Sequence, residues 1–251
     1  MQTLDTLLNH KTIRNYKSDP VDEKILDKIL EAGFRASTTG NMQVYSVIVT
    51  KDEVKRKELC KLHFNQKMVE QAPVLLTFCA DFNRFNKWCR QRKAEPGYDN
   101  FLSFFTAAID ALLVAQNACV AAEDFGLGIC YLGTTTYQAD KLIDFFDLPK
   151  GVVPVTTVVV GYPAEEPEQA DRLPAKGVVH YEKYSDYSSE DIDEIYAEKE
   201  SLPITQKLLE ENQLETLAQI FTQNRYKKVD NLHFSKVLLK VLEQQGFMNK
   251  D

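Results

Sequence analysis

Helices and strands sharing one core are what this sequence predicts, and three observations carry that expectation. Apolar, β-branched runs of strand length recur at 44–50, 74–80 and 152–160. Amphipathic stretches with helical spacing lie between them. The stretch 101–125 is apolar around most of its girth, so as a helix it needs cover on nearly every side. A chain of 251 residues has room for one large domain or two small ones, and 44% hydrophobic residues is ordinary for a globular protein.

Thr3 to Asn9 puts Leu4, Leu7 and Leu8 at helical spacing. From Val21 to Phe34 a stronger helix is marked at its start by Pro20 and Asp22, carries Ile25, Ile29 and Leu30 on one face, and has Gly33 near its end. Residues 36–43 form a polar loop of small hydrogen-bonding groups, which suits either a surface turn or a rim of donors facing a polar ring edge. Val44 to Thr50 alternates as a strand does, Asp52 to His63 has helical spacing, and Gln66 to Val69 continues towards Pro73. Val74 to Ala80 is a continuous apolar run, hence a buried strand. Phe82, Phe85 and Trp88 recur at helical intervals within 81–93 as packing residues, and Glu95-Pro96-Gly97 is a turn.

In the long stretch Phe101, Phe105, Leu112 and Cys119 lie on one stripe, and Ser103, Thr106, Asp110 and Asn117 on a narrow polar one. Its cover can come from the rest of the domain or from a second subunit. Gly126 and Gly128 end it. Ile129 to Leu132 is a short strand, and Gly133 to Thr136 a loop whose glycine either admits a ligand close to the backbone or only makes a turn. Lys141 to Phe146 is helical, and Val152 to Val160 is a buried strand stopped by Gly161-Tyr162-Pro163. Residues 164–180 make an extended excursion rich in Pro, Glu and Ala. Ser188 to Glu200 and Thr205 to Thr222 form polar helices, and Asn231 to Gln245 a last amphipathic one with Phe234, Val237, Leu238, Val241 and Leu242 on one side.

The net charge of −7 argues against a nucleic-acid surface and gives no support for binding an anionic membrane. No run of about 18 uninterrupted apolar residues occurs, so no spanning helix is expected. The five cysteines are odd in number and form no C-x-x-C pair, which implies neither a disulfide framework nor a zinc site and points to the reducing cytoplasm. The N-terminus lacks the basic-then-apolar pattern of a signal peptide.

Against this acidic background His10-Lys11-Thr12-Ile13-Arg14 stands out. Lys11 supplies point charge, Thr12 a neutral donor and Arg14 a planar fork, a set that suits a phosphate on a stalk. The same cations could instead only complement a helix C-terminus. Arg172-Leu173-Pro174 is a second candidate phosphate ligand. His63, His180 and His233 have no neighbours at metal spacing and are expected as surface or half-buried residues. The sequence contains no G-x-S-x-G, H-E-x-x-H, G-x-x-x-x-G-K-[ST] or G-x-G-x-x-G. If the chain is an enzyme, a bound cofactor carries the hard chemistry.

Taken together and in order, His10-Lys11-Thr12-Ile13-Arg14, Arg35-Ala36-Ser37-Thr38-Thr39 with Gln43, Gln66-Lys67, Cys79-Ala80-Asp81-Phe82-Asn83-Arg84, Ala115-Gln116-Asn117-Ala118, Gly126-Leu127-Gly128 with Tyr131-Leu132-Gly133, Leu148-Pro149, Gly161-Tyr162-Pro163 and Arg172-Leu173-Pro174 carry a resemblance. The chain resembles the flavin-dependent nitroreductase family, its larger flavin reductase and nitroreductase branch, over about residues 2–180. The resemblance implies an α+β fold: a mixed sheet flanked by helices, in an interlocked homodimer with FMN at the interface and the 101–125 helix at its centre. It implies a core over 1–180 and a helical extension over 181–251 packed on the core or on the partner subunit.

By the same resemblance His10, Lys11, Thr12 and Arg172 would hold the FMN phosphate, and Arg14 would reach the ribityl chain and the pyrimidine edge. Ser37, Thr38 and Thr39 would come from the partner subunit, Gln66 would hydrogen-bond the ring, and Tyr131, Leu132 and Gly133 would offer backbone groups near its reactive nitrogen. NADPH or NADH would be the reductant, and a nitroaromatic, a quinone or free flavin the small-molecule electron acceptor, in a ping-pong scheme. No catalytic side chain is required and no metal; Arg14 tunes the flavin. The branch often has Lys two residues before the Arg of Arg-Leu-Pro, where this chain has Ala170, followed by Asp171. One phosphate cation is missing, and weaker FMN binding is expected. A flavin-storage protein on the same fold would use the same ligands, and a helical interaction protein built on 101–125 would bind no flavin.

Overall fold

In the computed structural model, which describes residues 3–250, four strands make one sheet in the order β1-β2-β4-β3. They are β1 Tyr45–Thr50, β2 Val74–Asp81, β3 Gly128–Leu132 and β4 Val152–Gly161. Neighbouring strands all run antiparallel. The parallel component is a bridge between Thr12 and Ile129, so it lies in the N-terminal segment rather than in a fifth strand.

Alternation along the strands divides the core between two faces. Leu76, Phe78, Val158, Val160 and Ile129 point to one side with Ile29 of α2 (Glu23–Gly33) and with Ala111, Val114, Ala115 and Ala118 of α6 (Phe101–Asp124). Leu75, Val159, Cys130 and Leu132 point to the other, among Leu59 and Cys60 of α3 (Glu53–Leu62), Met68 and Val69 of α4 (Lys67–Gln71), and Leu142 of α8 (Ala139–Phe145). The helices flanking the sheet start where local chemistry dictates. Asp22 accepts from the Lys24 amide, Asp52 from that of Lys55 and Asn100 from that of Ser103. The N-terminal helix, α1, is Thr3–Leu8, and α5, Asn83–Gln91, follows β2.

By length and composition α6 could cross a membrane. Here its alanine face packs in the core, and Asp110 lies fully buried at its middle. Gly33 permits the close approach of α2: a Cβ there would stand 3.2 Å from both Ala118 Cβ and the Val114 carbonyl. Phe101, Leu102, Phe105, Ile109, Leu112 and Leu113 remain exposed along the opposite side of α6.

The stretch after β3 differs from its predicted loop. Residues Thr134–Tyr137 form a single helical turn, α7, in which the Thr135 hydroxyl donates to the Leu132 carbonyl at 2.9 Å. The last helix, α12 (Lys228–Gln245), sends Val241 and Leu242 into a third cluster with Val44, Phe82 and Phe247.

The chain divides into two compact units, one running to Gln169 and resuming at Phe234, the other Ala170–His233. The second contains α9 (Ser189–Ser201), opened by a capping box between Ser188 and Asp191, and α10 (Pro203–Asn212). The single helix predicted over 205–222 is two. Gln213 turns left-handed after α10, and a new capping box, Thr216 with Gln219, starts α11 (Leu217–Gln219), which runs into a π turn over Ile220–Arg225.

Candidate functional site

The basic segment is not a helix end. α1 stops at Leu8, and the segment after it bridges the start of β3 through Thr12 and Ile129 and then pairs with the stretch that follows β4. The Ile13 amide donates to the Ile129 carbonyl at 3.0 Å, and the buried Ile13 side chain lies where a Cβ on Gly128 would stand 2.5 Å from its Cγ1. Downstream the Tyr16 hydroxyl donates to the Ile13 carbonyl at 2.7 Å, and Tyr16 bridges to Pro163. Glu165 clamps the turn by accepting from the amides of Arg14 at 2.7 Å and Asn15 at 3.0 Å. Those amides, with the Asn15 side chain, hold its carboxyl below the usual range.

The backbone is therefore fixed while the cations face out. Arg14 is exposed, and its guanidinium makes no hydrogen bond among the described residues. Among the described residues Lys11 pairs with Glu166 alone, at 3.6 Å, and Glu166 is 90% exposed, so the pair is weak and leaves the ammonium free to turn to an anion. His10 is differently placed: its Nδ1 lies 2.6 Å from Glu123 on α6. Thr12 is half-buried at the bridge.

Ser37, Thr38 and Thr39 lead into a tight turn over Thr39–Asn41, with Gly40 and Asn41 both left-handed. Buried Asp110 ties this loop to α6, accepting from the Thr39 amide at 2.9 Å and the Val44 amide at 3.4 Å. Arg84 braces the far side through the carbonyls of Gln43 and Tyr45. The hydroxyl-bearing loop thus sits beside Asp110 and the cationic segment beside Glu123, thirteen residues along one helix, or about 20 Å at 1.5 Å per residue.

Gln66 and the turn after β3 are brought together. The Gln66 amide donates to the His63 carbonyl at 3.1 Å and lies 3.4 Å from the Thr134 hydroxyl. Gly133 is exposed, with nothing within 4 Å of the place a Cβ would occupy. Leu132 is buried, and the Tyr131 hydroxyl donates to Gln116 at 3.3 Å, its own ionisation pushed far up by burial. Arg172 lies in the second unit, where its guanidinium donates to the carbonyls of Ala170 and Asp171 and where Asp171 pairs with Lys199 at 2.7 Å.

His63 corrects the expectation of a surface or half-buried histidine. It is fully buried, with Nδ1 2.7 Å from the Thr134 hydroxyl and Nε2 without a partner among the described residues. Its neighbours come from the turn after β3, which sequence spacing cannot show. Burial lowers its pKa from 6.5 to about 4. The folded chain keeps the ring neutral while the unfolded chain takes up a proton below 6.5, so this contribution to stability is complete above pH 6.5 and is lost as pH falls to 4. The loss is about 3 kcal/mol by linkage. Urea midpoints measured from pH 7 to 4 should fall less steeply in His63→Leu than in the native chain.

Asp110 and Glu165 were also not singled out as site residues. The sequence signal for Asp110 is its place as the one acid on the narrow polar stripe of that helix, and Glu165 gives none, because its partners lie about 150 residues away.

The profile described as the Nitroreductase family matches residues 7–162. Two relatives from Bacillus subtilis (strain 168) are similar. An FMN reductase (NADPH) is 34% identical over 185 residues, covering 73% of this chain and 74% of the relative. An FMN reductase [NAD(P)H] is 35% identical over 186 residues, with 73% and 74% covered. A crystal structure from Bacteroides fragilis NCTC 9343 superposes with a TM-score of 0.96 at 57% identity, over 98% of this chain and 100% of the other.

Proposed function

The chain belongs to the nitroreductase family, and from that premise we propose that it is an FMN-dependent oxidoreductase, taking hydride from NADPH or NADH and passing electrons to nitroaromatics, quinones or free flavin in a ping-pong scheme. The observation that carries this reading is the basic segment bridged to the start of β3. It sets Lys11 and Arg14 beside the start of the strand and leaves open backbone at Gly133, four residues or roughly 13 Å further on.

Those residues fit FMN: a half-buried ammonium and an exposed guanidinium for a phosphate and a polar chain, a glycine open to a flat ring, and Gln66 close to the same turn. When bound, FMN supplies the acceptance and release of electrons. The chain's own groups hold and tune it. Lys11, with His10 through its remaining nitrogen and Thr12, holds the phosphate, and Arg172 of the second unit takes the phosphate role the resemblance gives it. Arg14 faces the pyrimidine edge, where its fixed charge favours the reduced ring. Gln66 and the backbone of Tyr131, Leu132 and Gly133 orient the ring. Arg172→Ala should weaken FMN binding by roughly ten- to a hundredfold, the worth of one charge-assisted hydrogen bond, in an equilibrium titration. Unchanged affinity contradicts its assignment.

The protein acts as a homodimer in this reading. The exposed apolar side of α6 needs cover, and the 37–39 loop and the 10–14 segment stand too far apart along α6 to share one ligand within a chain. Ser37, Thr38 and Thr39 then serve the partner's flavin. Buried, unpaired cysteines suit the cytoplasm. Initial rates with a nitroaromatic at several NADPH concentrations test the function: parallel double-reciprocal lines are expected, whereas a flavin-loaded protein without turnover is a storage protein.

A further inference from the structure

The buried His63 does more than fill space behind Gln66. Its Nδ1 meets the Thr134 hydroxyl at 2.7 Å, and that oxygen is also the nearest side-chain partner of the Gln66 amide, at 3.4 Å. Two proton arrangements satisfy the short contact. If Thr134 donates, His63 carries its hydrogen on Nε2, a buried N–H with no partner. If His63 donates from Nδ1, Nε2 keeps only a bare lone pair, and the Thr134 oxygen accepts from both His63 and Gln66.

The second arrangement costs less. Orphaned buried N–H groups are rarer than under-used acceptors, and the Thr134 proton, on a half-buried residue, can turn outwards. Thr135 and Thr136 beside it spend their hydroxyls on the carbonyls of Leu132 and Gly133. Thr134 alone of the three has no backbone acceptor among the described residues. It adjoins Gly133, where the space beside the backbone is open.

We propose that His63 is a positioning residue for the cofactor: as the Nδ1–H tautomer it donates to Thr134 and turns the Thr134 hydroxyl proton towards an acceptor atom of the bound flavin ring. This rests on the FMN reading above. Thr134 is thereby a ring ligand that the family resemblance does not assign, and His63 acts through it while locking the Gln66 amide in the same network.

The test uses the FMN-loaded protein. Imidazole nitrogen shifts of ¹⁵N-histidine-labelled holoprotein at pH 7 should show one buried, neutral ring protonated on Nδ1, absent from His63→Leu. Protonation on Nε2, or a charged ring, overturns the proposal. Thr134→Val, which keeps the shape and removes the hydroxyl, should weaken FMN binding about tenfold and shift the flavin midpoint potential. Thr134→Ser should stay within about twofold of the native chain. Equal affinity and potential in all three proteins overturns the proposal while leaving the FMN reading intact. Failure of the native chain to bind FMN is instead a failure of that reading. Should His63→Leu not fold, the Thr134 pair and the native nitrogen shifts still decide.

Discussion

Replacing Ile109 and Leu113 together by arginine should turn a dimer into a monomer and strip it of FMN. Both side chains are over 40% exposed on the single chain, so the fold has no need of them. In the proposed dimer each is covered by a second copy, and each arginine becomes a charge buried without a partner. Such a charge costs on the order of 3–5 kcal/mol, and two-fold symmetry repeats the cost on the other subunit. Dissociation should strengthen by far more than a hundredfold. The 37–39 loop then leaves the partner's flavin, so the cofactor is lost with the dimer. Light scattering on a sizing column checks the mass and the absorbance trace checks the flavin. A variant that stays dimeric and yellow contradicts the assignment of this face.

The second large effect is expected at Arg14. Its backbone is fixed by Glu165 and by the neighbouring Ile13–Ile129 hydrogen bond, so Arg14→Ala should remove a charge without moving the chain. A hydrogen bond to a charged group contributes about 1.5–3 kcal/mol. If Arg14 favours the reduced ring by that amount, its loss lowers the midpoint potential by roughly 30–60 mV for a two-electron couple. Arg14→Lys should recover only part of the shift, because an ammonium lacks the planar fork. Equilibration with reference dyes measures it. An unchanged potential with FMN bound places Arg14 away from the ring.

The regular elements were legible where one periodicity dominates. β2 and β4 are apolar runs interrupted inside only by threonine, and α6 is apolar nearly all round, so their bounds follow within a residue or two. Residues 205–222 read as one helix because polar helical propensity continues across Gln213, and the Thr216–Gln219 capping box marks the restart. The turn at 134–137 is three threonines and a tyrosine, poor helix formers that nonetheless close a helical turn once Thr135 and Thr136 bond back to Leu132 and Gly133.

The site was legible as a set of residue types and not as a geometry. Lys11 and Arg14 stand out against an acidic chain, but the partners that fix them, Ile129 and Glu165, lie more than 100 residues away. His63 was hidden for the same reason: nothing in Leu62-His63-Phe64 announces that Thr134 will meet its ring.

The most direct measurement is an absorbance spectrum of the purified protein under anaerobic conditions, before and after NADPH and then NADH. A yellow spectrum that a stoichiometric amount of either nucleotide bleaches, and that a quinone restores, is what this account predicts. A protein that takes up no FMN, or a yellow one that neither nucleotide bleaches, contradicts it.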